Sequence, residues 1–249
     1  MAGYEGKHFK HKLTLILEGV AILCYAINQS PANLIEIVSK FYTKDKQPED
    51  RPSSPLRDEP LNVSVQLLDQ ENSTCPELEE YSIKTIDDGM SVMAITPYGQ
   101  IIGVCLNGIT RKKDSEELDI HNASEDSCHN KKFCKIIKFL QHIERESNIF
   151  AKYTEINKIL CVKILSVDCS WRGRGIAKEL MDKTREIARR EGFGLVRADC
   201  TSYYSAKALA KLGFECVYTL QYCDYKEDDE IVFKPDPPHN EIKIYVQEI

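Results

Sequence analysis

A short basic loop between a predicted strand and a predicted helix carries the clearest chemistry in this sequence. Residues 164–177 read Ile-Leu-Ser-Val-Asp-Cys-Ser-Trp-Arg-Gly-Arg-Gly-Ile-Ala. The start of such a helix offers unpaired N–H groups and the positive end of its dipole to an anion. Gly173 and Gly175 let the backbone approach a phosphate, while Arg172 and Arg174 add positive charge. The pattern predicts a diphosphate site, and a solvated strand-to-helix turn is the alternative. It is not of the Rossmann type, because Gly-x-Gly-x-x-Gly is absent.

The elements around this loop alternate between strand and helix patterns. Strands are predicted at 159–167, 194–198, 214–222 and 242–246, and helices at 175–190 and 205–212. Each of these helices stops at a glycine that can take the left-handed cap conformation. Upstream, strands at 91–96 and 101–108 flank a Pro-Tyr-Gly turn, and 133–149 has the apolar spacing of a helix. The order predicts an α/β (α+β) fold with a mixed sheet.

The first 57 residues are less regular. An apolar run at 13–27 predicts a strand or a buried helix, and 34–42 is helix-like before a proline-rich stretch at 48–55. Lysines before the run and four Asn-x-Ser/Thr sequons favour the alternative of a secretory start. Glu18 and Gly19 interrupt the run, however, and no small-residue cleavage site follows. The prediction is therefore a cytoplasmic protein without a membrane span.

Composition excludes several classes of function. The chain of 249 residues has 33 Lys and Arg against 39 Asp and Glu, a net charge of -6, which disfavours binding to nucleic acid through bulk charge. Its ten cysteines form no Cys-x-x-Cys pair and predict free thiols in a reducing compartment. The best metal-ligating group comprises His121, Cys128, His129, Cys134 and His142. Its spacing matches no known finger, so no metal is predicted.

Several motifs together resemble one enzyme family. Residues 172–177 resemble the Arg/Gln-x-x-Gly-x-Gly/Ala signature of the GNAT acyltransferase superfamily. Asp-Glu-Pro-Leu-Asn at 58–62, Lys-Leu-Gly-Phe-Glu at 211–215 and Phe-Lys-Pro-Asp-Pro-Pro-His at 233–239 are similar to insect arylalkylamine N-acetyltransferases. The resemblance predicts a GNAT domain at 58–249 after an atypical, partly irregular segment at 1–57.

The resemblance implies a mixed, mostly antiparallel twisted sheet flanked by helices, with acetyl-CoA as cosubstrate. The pyrophosphate is expected on the 172–177 loop and the pantetheine arm along 165–167, where the amide of Leu165 or Val167 faces the thioester carbonyl. The implied cofactor-binding residues are Leu165, Ser166, Val167, Arg172, Gly173, Arg174, Gly175, Ile176 and Ala177.

An amine must lose a proton before it attacks a thioester, because its pKa lies near 10. The resemblance assigns this task to Glu59 and places Thr201 and Ser205 where a hydroxyl can assist the leaving thiolate. It puts Pro60 and His239 at the acceptor site. The residues alone leave other roles open. Glu59 can begin a helix before Pro60, Ser205 can cap a helix, and a lone histidine is more often structural.

The resemblance thus implies an N-acetyltransferase for a primary amine, most directly an arylalkylamine such as dopamine, tyramine, octopamine or serotonin. Agmatine or polyamine acceptors, longer acyl-CoA donors, or CoA binding without turnover are the alternatives. A route through Cys161, Cys169 or Cys200 has no Cys-His arrangement to support it. The partners expected are the amine and acetyl-CoA, with no nucleic acid and no membrane, for a monomeric protein.

Overall fold

The computed structural model describes residues 12–17, 20–26, 59–67, 75–113 and 130–249. Ten strands lie within these ranges: β1 Lys12–Leu17, β2 Val20–Ala26, β3 Val92–Ile95, β4 Ile101–Arg111, β5 Lys158–Val167, β6 Leu195–Cys200, β7 Glu215–Gln221, β8 Lys226–Glu227, β9 Glu230–Ile231 and β10 Glu241–Glu248. The α-helices of the same ranges are α1 Pro60–Ser64, α2 Pro76–Asp87, α3 Lys131–Ser147, α4 Ile149–Lys152, α5 Ile176–Arg190 and α6 Tyr203–Lys211. Short 3₁₀ turns occupy Cys169–Trp171 and Tyr222–Asp224.

One eight-stranded sheet organises the described chain, in the order β1-β2-β3-β4-β5-β6-β10-β7. Its neighbouring strands run antiparallel except for β5 and β6, which are parallel. A parallel pair needs a crossover, and α5 supplies it between these two strands. The predicted mixed, mostly antiparallel sheet flanked by helices is therefore confirmed.

The parallel pair is short, and this creates a cleft. Strand β5 pairs with β6 only from Ile159 opposite Leu195 to Val162 opposite Ala198. Beyond that point β5 continues to Val167 against β4, and β6 continues to Cys200 against β10. The two central strands therefore separate towards their carboxyl ends.

Helices cover the two faces of the sheet. Apolar residues of α5 and α6 form one core with the inner strands, and those of α1, α3 and α4 form another. Helix α5 lies so close to β4 that a Cβ on Gly103 would come within 3.1 Å of Leu180 Cδ1 and 3.2 Å of Ile176 Cγ2. The glycine therefore lets the helix that follows the basic loop sit directly on the sheet.

The predicted elements of the last hundred residues are found with small shifts in their ends. Helix α6 begins at Tyr203 rather than at the predicted 205, because Ser202 is its N-cap. The sequence patterns missed α2, which begins at Pro76. The apolar run at 13–27 contributes β1 and β2, which extend the sheet beside β3. The helix-like stretch 34–42 lies outside the described residues, and the division at residue 57 stays a prediction.

The structure also bears on the predicted absence of a membrane span and on the predicted free thiols. Within the ranges that the structure describes, no helix is long and apolar enough to cross a membrane. Seven cysteines of the described ranges are free thiols, whereas Cys134 is disulfide-bonded. That bond runs against the expectation that all ten thiols are reduced, and the cytoplasmic location stays a prediction.

Candidate active site

The loop between β5 and α5 has the shape of an anion site. Gly173 and Gly175 adopt left-handed φ angles of 75° and 81°, which residues with a Cβ rarely take. A Cβ built on either glycine meets no atom of the described residues within 4 Å, so these residues leave the space beside the backbone open. The N-cap of α5 is Gly175, and within the part of the chain that the structure describes no side chain caps the first turn of this helix. The N–H groups of this turn therefore remain available to a phosphate.

The charged side chains of this loop are held in place. The Nε atom of Arg172 donates to the Val167 carbonyl at 3.1 Å, which ties the loop to the end of β5. The Arg174 guanidinium lies over the Trp171 ring, 5.1 Å from its centroid. Asp168 accepts a hydrogen bond of 2.9 Å from the Ser170 backbone and so fixes the preceding 3₁₀ turn. The arrangement preorganises two positive charges beside an open helix terminus.

The cleft beside β5 begins immediately before this loop. Leu165, Ser166 and Val167 pair with Cys105, Val104 and Gly103 of β4, and none of them pairs with β6. Their other backbone edge has no strand partner among the described residues. Such an edge offers amide donors to an extended ligand, as expected for the arm of a CoA molecule.

Glu59 lies at the N-terminus of α1, and its two carboxylate oxygens have different surroundings. Oε2 accepts a hydrogen bond of 2.8 Å from the Asn62 backbone, so Glu59 is the helix N-cap. Oε1 is buried without a hydrogen-bond partner among the described residues. A carboxylate with one anchored oxygen and one unbonded oxygen can accept a proton without losing its position.

Burial raises the pKa of Glu59 above its ordinary value. The Asn62 N–H, the Thr201 hydroxyl and the Leu61 N–H oppose that rise. The Thr201 hydroxyl is thus close to the carboxylate, although it makes no hydrogen bond of good geometry with Oε1. The raised pKa brings the carboxylate nearer to the range in which a general base is efficient at neutral pH.

Tyr222 supports this pair and was missed by the sequence analysis. Its hydroxyl donates to the Thr201 carbonyl at 2.6 Å. Burial and then the negative charge of Glu59 raise the pKa of Tyr222, so the phenol remains a neutral donor. Tyr222 lies about 160 residues from Glu59 in the chain, and its only local signal is the end of an alternating strand.

Ser205 completes a capping box at the start of α6. The Ser202 hydroxyl accepts from the Ser205 N–H at 3.0 Å, and the Ser205 hydroxyl donates to the Ser202 carbonyl at 2.9 Å. This geometry is the structural role that the sequence left open. A part for Ser205 in protonating a thiolate stays a proposal, because its proton already has an acceptor.

The two predicted acceptor-site residues lie in different places: His239 lies beside the start of α6, and Pro60 is the first residue of α1. His239 follows a cis Pro237-Pro238 bond, and its Nδ1 accepts from the Tyr203 N–H at 3.2 Å. Its ring contacts the exposed Tyr204 at 5.5 Å between centroids. Pro60 is buried at the first position of α1. The structure thus links His239 to α6 and Pro60 to Glu59, and their contact with an amine stays a prediction.

Comparison with known proteins identifies the family to which this fold belongs. Residues 150–214, which include the basic loop, match the Acetyltransferase (GNAT) family. The solved structure of arylalkylamine N-acetyltransferase 2 from Aedes aegypti is 32% identical, covers 92% of this chain and 99% of its own, and superimposes with a TM-score of 0.76.

Two more distant solved structures share the fold. The mosquito arylalkylamine N-acetyltransferase like 5b is 24% identical with a TM-score of 0.72, covering 92% of this chain and 100% of its own. The polyamine N-acetyltransferase of Drosophila melanogaster is 23% identical with a TM-score of 0.73 over the same shares.

The fold and the loop define a GNAT acetyltransferase, a class that uses acetyl-CoA. Within that class, the chain belongs to the arylalkylamine N-acetyltransferase-like family.

Proposed function

We propose that the protein acetylates the primary amine of an arylalkylamine, of the dopamine, tyramine, octopamine or serotonin class, by direct attack of the amine on acetyl-CoA. The observation that carries this proposal is the half-buried carboxylate of Glu59: Asn62 fixes its Oε2, and its buried Oε1 has no hydrogen-bond partner among the described residues. It is supported by the family of the chain and by the open loop at Gly173 and Gly175.

The acetyl donor would be held by the loop and by the cleft edge of β5. The N-terminus of α5, with Arg172 and Arg174, binds the pyrophosphate through charge and backbone N–H groups. Bound acetyl-CoA supplies the activated acetyl group. The amide of Leu165 or Val167 donates to the thioester oxygen as that oxygen gains charge, and one such donor contributes about 3 kcal/mol.

Glu59 prepares the acceptor. An alkylammonium with a pKa near 10 is almost fully protonated at neutral pH, so the carboxylate removes a proton directly or through water. The amine nitrogen then bonds to the acetyl carbon as the carbon–sulfur bond breaks. The CoA thiolate leaves and takes up a proton, for which the Thr201 and Ser205 hydroxyls are the candidate donors.

Two cysteines near the cleft, Cys161 and Cys200, are poor nucleophiles. Burial raises the pKa of Cys200 to about 12, and it also raises the pKa of Cys161. The thiolate is the reactive form of cysteine, so neither side chain is activated at neutral pH. This favours direct transfer over an acetyl-cysteine route.

A panel of amines tests the proposal. The protein would be mixed with acetyl-CoA and tyramine, dopamine, octopamine, serotonin, agmatine or spermidine, and released thiol would be read with a thiol-detecting dye. We expect the highest kcat/KM with an arylalkylamine. CoA binding without thiol release for any amine would contradict catalysis, and a preference for agmatine or spermidine would contradict the proposed acceptor class.

A further inference from the structure

The tryptophan that precedes the basic loop lies at the start of a tight turn. Trp171 is the one tryptophan in the sequence, and it ends the 3₁₀ turn Cys169–Trp171. Arg172 then has a φ of -65° and a ψ of 159°, and Gly173 has a φ of 75°. These angles fit the central pair of a type II β-turn, whose second central residue needs a positive φ. Such a turn brings its first and fourth residues, Trp171 and Arg174, close together.

The Trp171 ring forms a fixed surface for the Arg174 side chain. The ring is half-buried and packs against the core that α5 shares with the inner strands. The Trp171 N–H donates to the Asp168 carbonyl at 2.9 Å, and the Asp168 N–H donates to the Ile102 carbonyl of β4 at 2.9 Å. Packing and backbone bonds thus both tie the tryptophan to the sheet. Arg174 is also half-buried, and its guanidinium lies over this ring, 5.1 Å from the centroid.

An aromatic ring can hold a guanidinium without cancelling its charge. The attraction comes from the negative face of the ring, and the ring itself carries no net charge. A carboxylate in the same place would hold the arginine, but it would also compete with a phosphate for the N–H donors. A long arginine side chain that moves freely in water would lose conformational freedom on binding the phosphate. The ring removes part of that cost in advance and leaves the positive charge for the ligand.

Arg174 is the arginine of this loop that lies beside the helix start. It directly precedes Gly175, the N-cap of α5, whose first turn presents N–H groups to an anion. Arg172 is exposed, and its Nε is tied to the Val167 carbonyl at the end of β5. A diphosphate at the helix start would therefore meet the arginine that the tryptophan holds.

We propose that Trp171 is a positioning residue for CoA: its ring holds the Arg174 guanidinium beside the start of α5, so that the cation meets the pyrophosphate already ordered. The inference rests on the proposed function, because it takes the 172–177 loop as the pyrophosphate site. A cation over a ring and the ordering of one long side chain each change affinity by a few-fold. Loss of the ring should therefore weaken CoA binding by about five-fold.

A double-mutant cycle tests whether the ring acts through the arginine. CoA affinity would be measured by titration calorimetry for the unchanged protein, Trp171→Leu, Arg174→Ala and the double variant. We expect Trp171→Leu to weaken CoA about five-fold on its own and to add no loss to that of Arg174→Ala. Dephospho-CoA keeps the pyrophosphate and lacks the 3′-phosphate, so it should show the same pattern. Equal losses from Trp171→Leu with and without Arg174→Ala, or a loss seen with CoA but not with dephospho-CoA, would overturn the proposal.

Two further variants separate positioning from stability. Trp171→Phe keeps an aromatic face and should retain CoA affinity within about two-fold. Phe214→Leu is the matched control, because Arg185 lies over the Phe214 ring at the same 5.1 Å from the centroid, about 14 Å along α5 from its first residue. This control should lower thermal stability without weakening CoA. CoA affinity that falls equally in Trp171→Phe and Trp171→Leu, or equally in Phe214→Leu, would contradict a role for the face of the Trp171 ring.

The emission of Trp171 reports its own contact, because the sequence has no second tryptophan. Arg174 covers the ring, so Arg174→Ala should increase quenching of this emission by acrylamide. Unchanged quenching would show that the guanidinium does not lie over the ring in solution, and it would overturn the proposal. No CoA binding by the unchanged protein would contradict the proposed function and this inference together. CoA binding without turnover of any amine would contradict the proposed function alone, since calorimetry still decides on Trp171.

Discussion

The two halves of the candidate site are built in opposite ways. The loop at 172–177 is continuous in sequence and open to solvent, and left-handed glycines at an uncapped helix start shape it. The base side is discontinuous in sequence and is partly to fully buried. It combines Glu59 of α1 with Thr201 after β6 and Tyr222 after β7.

This contrast follows from what each half must do. A diphosphate needs backbone N–H groups and positive charge, which a short motif supplies in water. A general base needs a shifted pKa, which requires burial and therefore neighbours from several elements. Changes in the loop should mainly affect binding of CoA, whereas changes around Glu59 should mainly affect turnover.

The largest effect is expected on turnover when Glu59, the proposed base, is replaced. Glu59→Gln keeps an oxygen that can accept the Asn62 N–H but removes the proton acceptor, so turnover should fall by about 10²–10⁴. CoA affinity should stay near that of the unchanged protein, because the carboxylate does not belong to the loop. Steady-state kinetics and CoA titration check both halves of this statement.

Comparing Glu59→Ala with Glu59→Gln separates catalysis from helix capping. Alanine removes both the proton acceptor and the helix cap, and losing the cap lowers the free energy of unfolding by about 0.5–2 kcal/mol. If Glu59 served only as a cap, Gln would restore both stability and turnover, and this outcome would contradict its role as the base.

The next largest effect is expected in the 172–177 loop, on the affinity for CoA. Gly175→Ala adds a Cβ at a φ of 81°, which costs roughly 1–2 kcal/mol and puts a methyl group where a phosphate would approach. We expect CoA to bind about ten-fold more weakly, a loss of about 1.4 kcal/mol, because the methyl group crowds the phosphate. Gly192→Ala is the control, because Gly192 has a φ of 69° with open space at the other end of α5.

Both glycine variants should lose similar thermal stability, and only Gly175→Ala should lose CoA affinity. Equal affinities in the two variants would show that the loop is an ordinary turn.

A smaller effect is expected at Tyr222. Tyr222→Phe removes the donor to the Thr201 carbonyl and loosens the residue whose hydroxyl lowers the pKa of Glu59. The acid limb of the rate profile should therefore move to higher pH. The free energy of unfolding should fall by about 1–3 kcal/mol through the unsatisfied carbonyl. A lower stability with an unmoved acid limb would reduce Tyr222 to a structural residue.

The smallest effect is expected in how the free energy of unfolding changes with pH through the Glu59 carboxyl group. The folded state raises the pKa of Glu59 above its unfolded value of about 4.5. The folded state then binds the proton more tightly, so this group stabilises the fold below that pH. The contribution is lost as pH rises through the folded pKa. Glu59→Gln should lack this loss, and its stability relative to the unchanged protein should increase across that window. Thermal unfolding at a series of pH values measures the difference.

Much of the fold could be predicted from local patterns. The helix over α5 follows from apolar positions at helical spacing, and the β3–β4 hairpin follows from its Pro-Tyr-Gly turn. The predicted start of α6 was two residues late, because either Ser202 or Ser205 could cap that helix and the sequence does not distinguish them. Helix α2 was missed, since its only local signal is Pro76 after Cys75.

Some residues of the candidate site could likewise be predicted from local sequence, and others could not. Local spacing predicted the loop at 172–177 as an anion site, but Glu59 entered only through the resemblance of its motif. Nothing local reveals that its Oε1 is buried or that Tyr222 supports Thr201.

The central claim is that Glu59 removes a proton from the acceptor amine. The most direct test compares phenethylamine with its β,β-difluoro analogue, whose fluorines lower the amine pKa so that much of it is neutral at the assay pH. Glu59→Gln should reduce kcat/KM strongly for phenethylamine and far less for the difluoro amine, because the latter needs little deprotonation. Equal losses for both amines would contradict the claim.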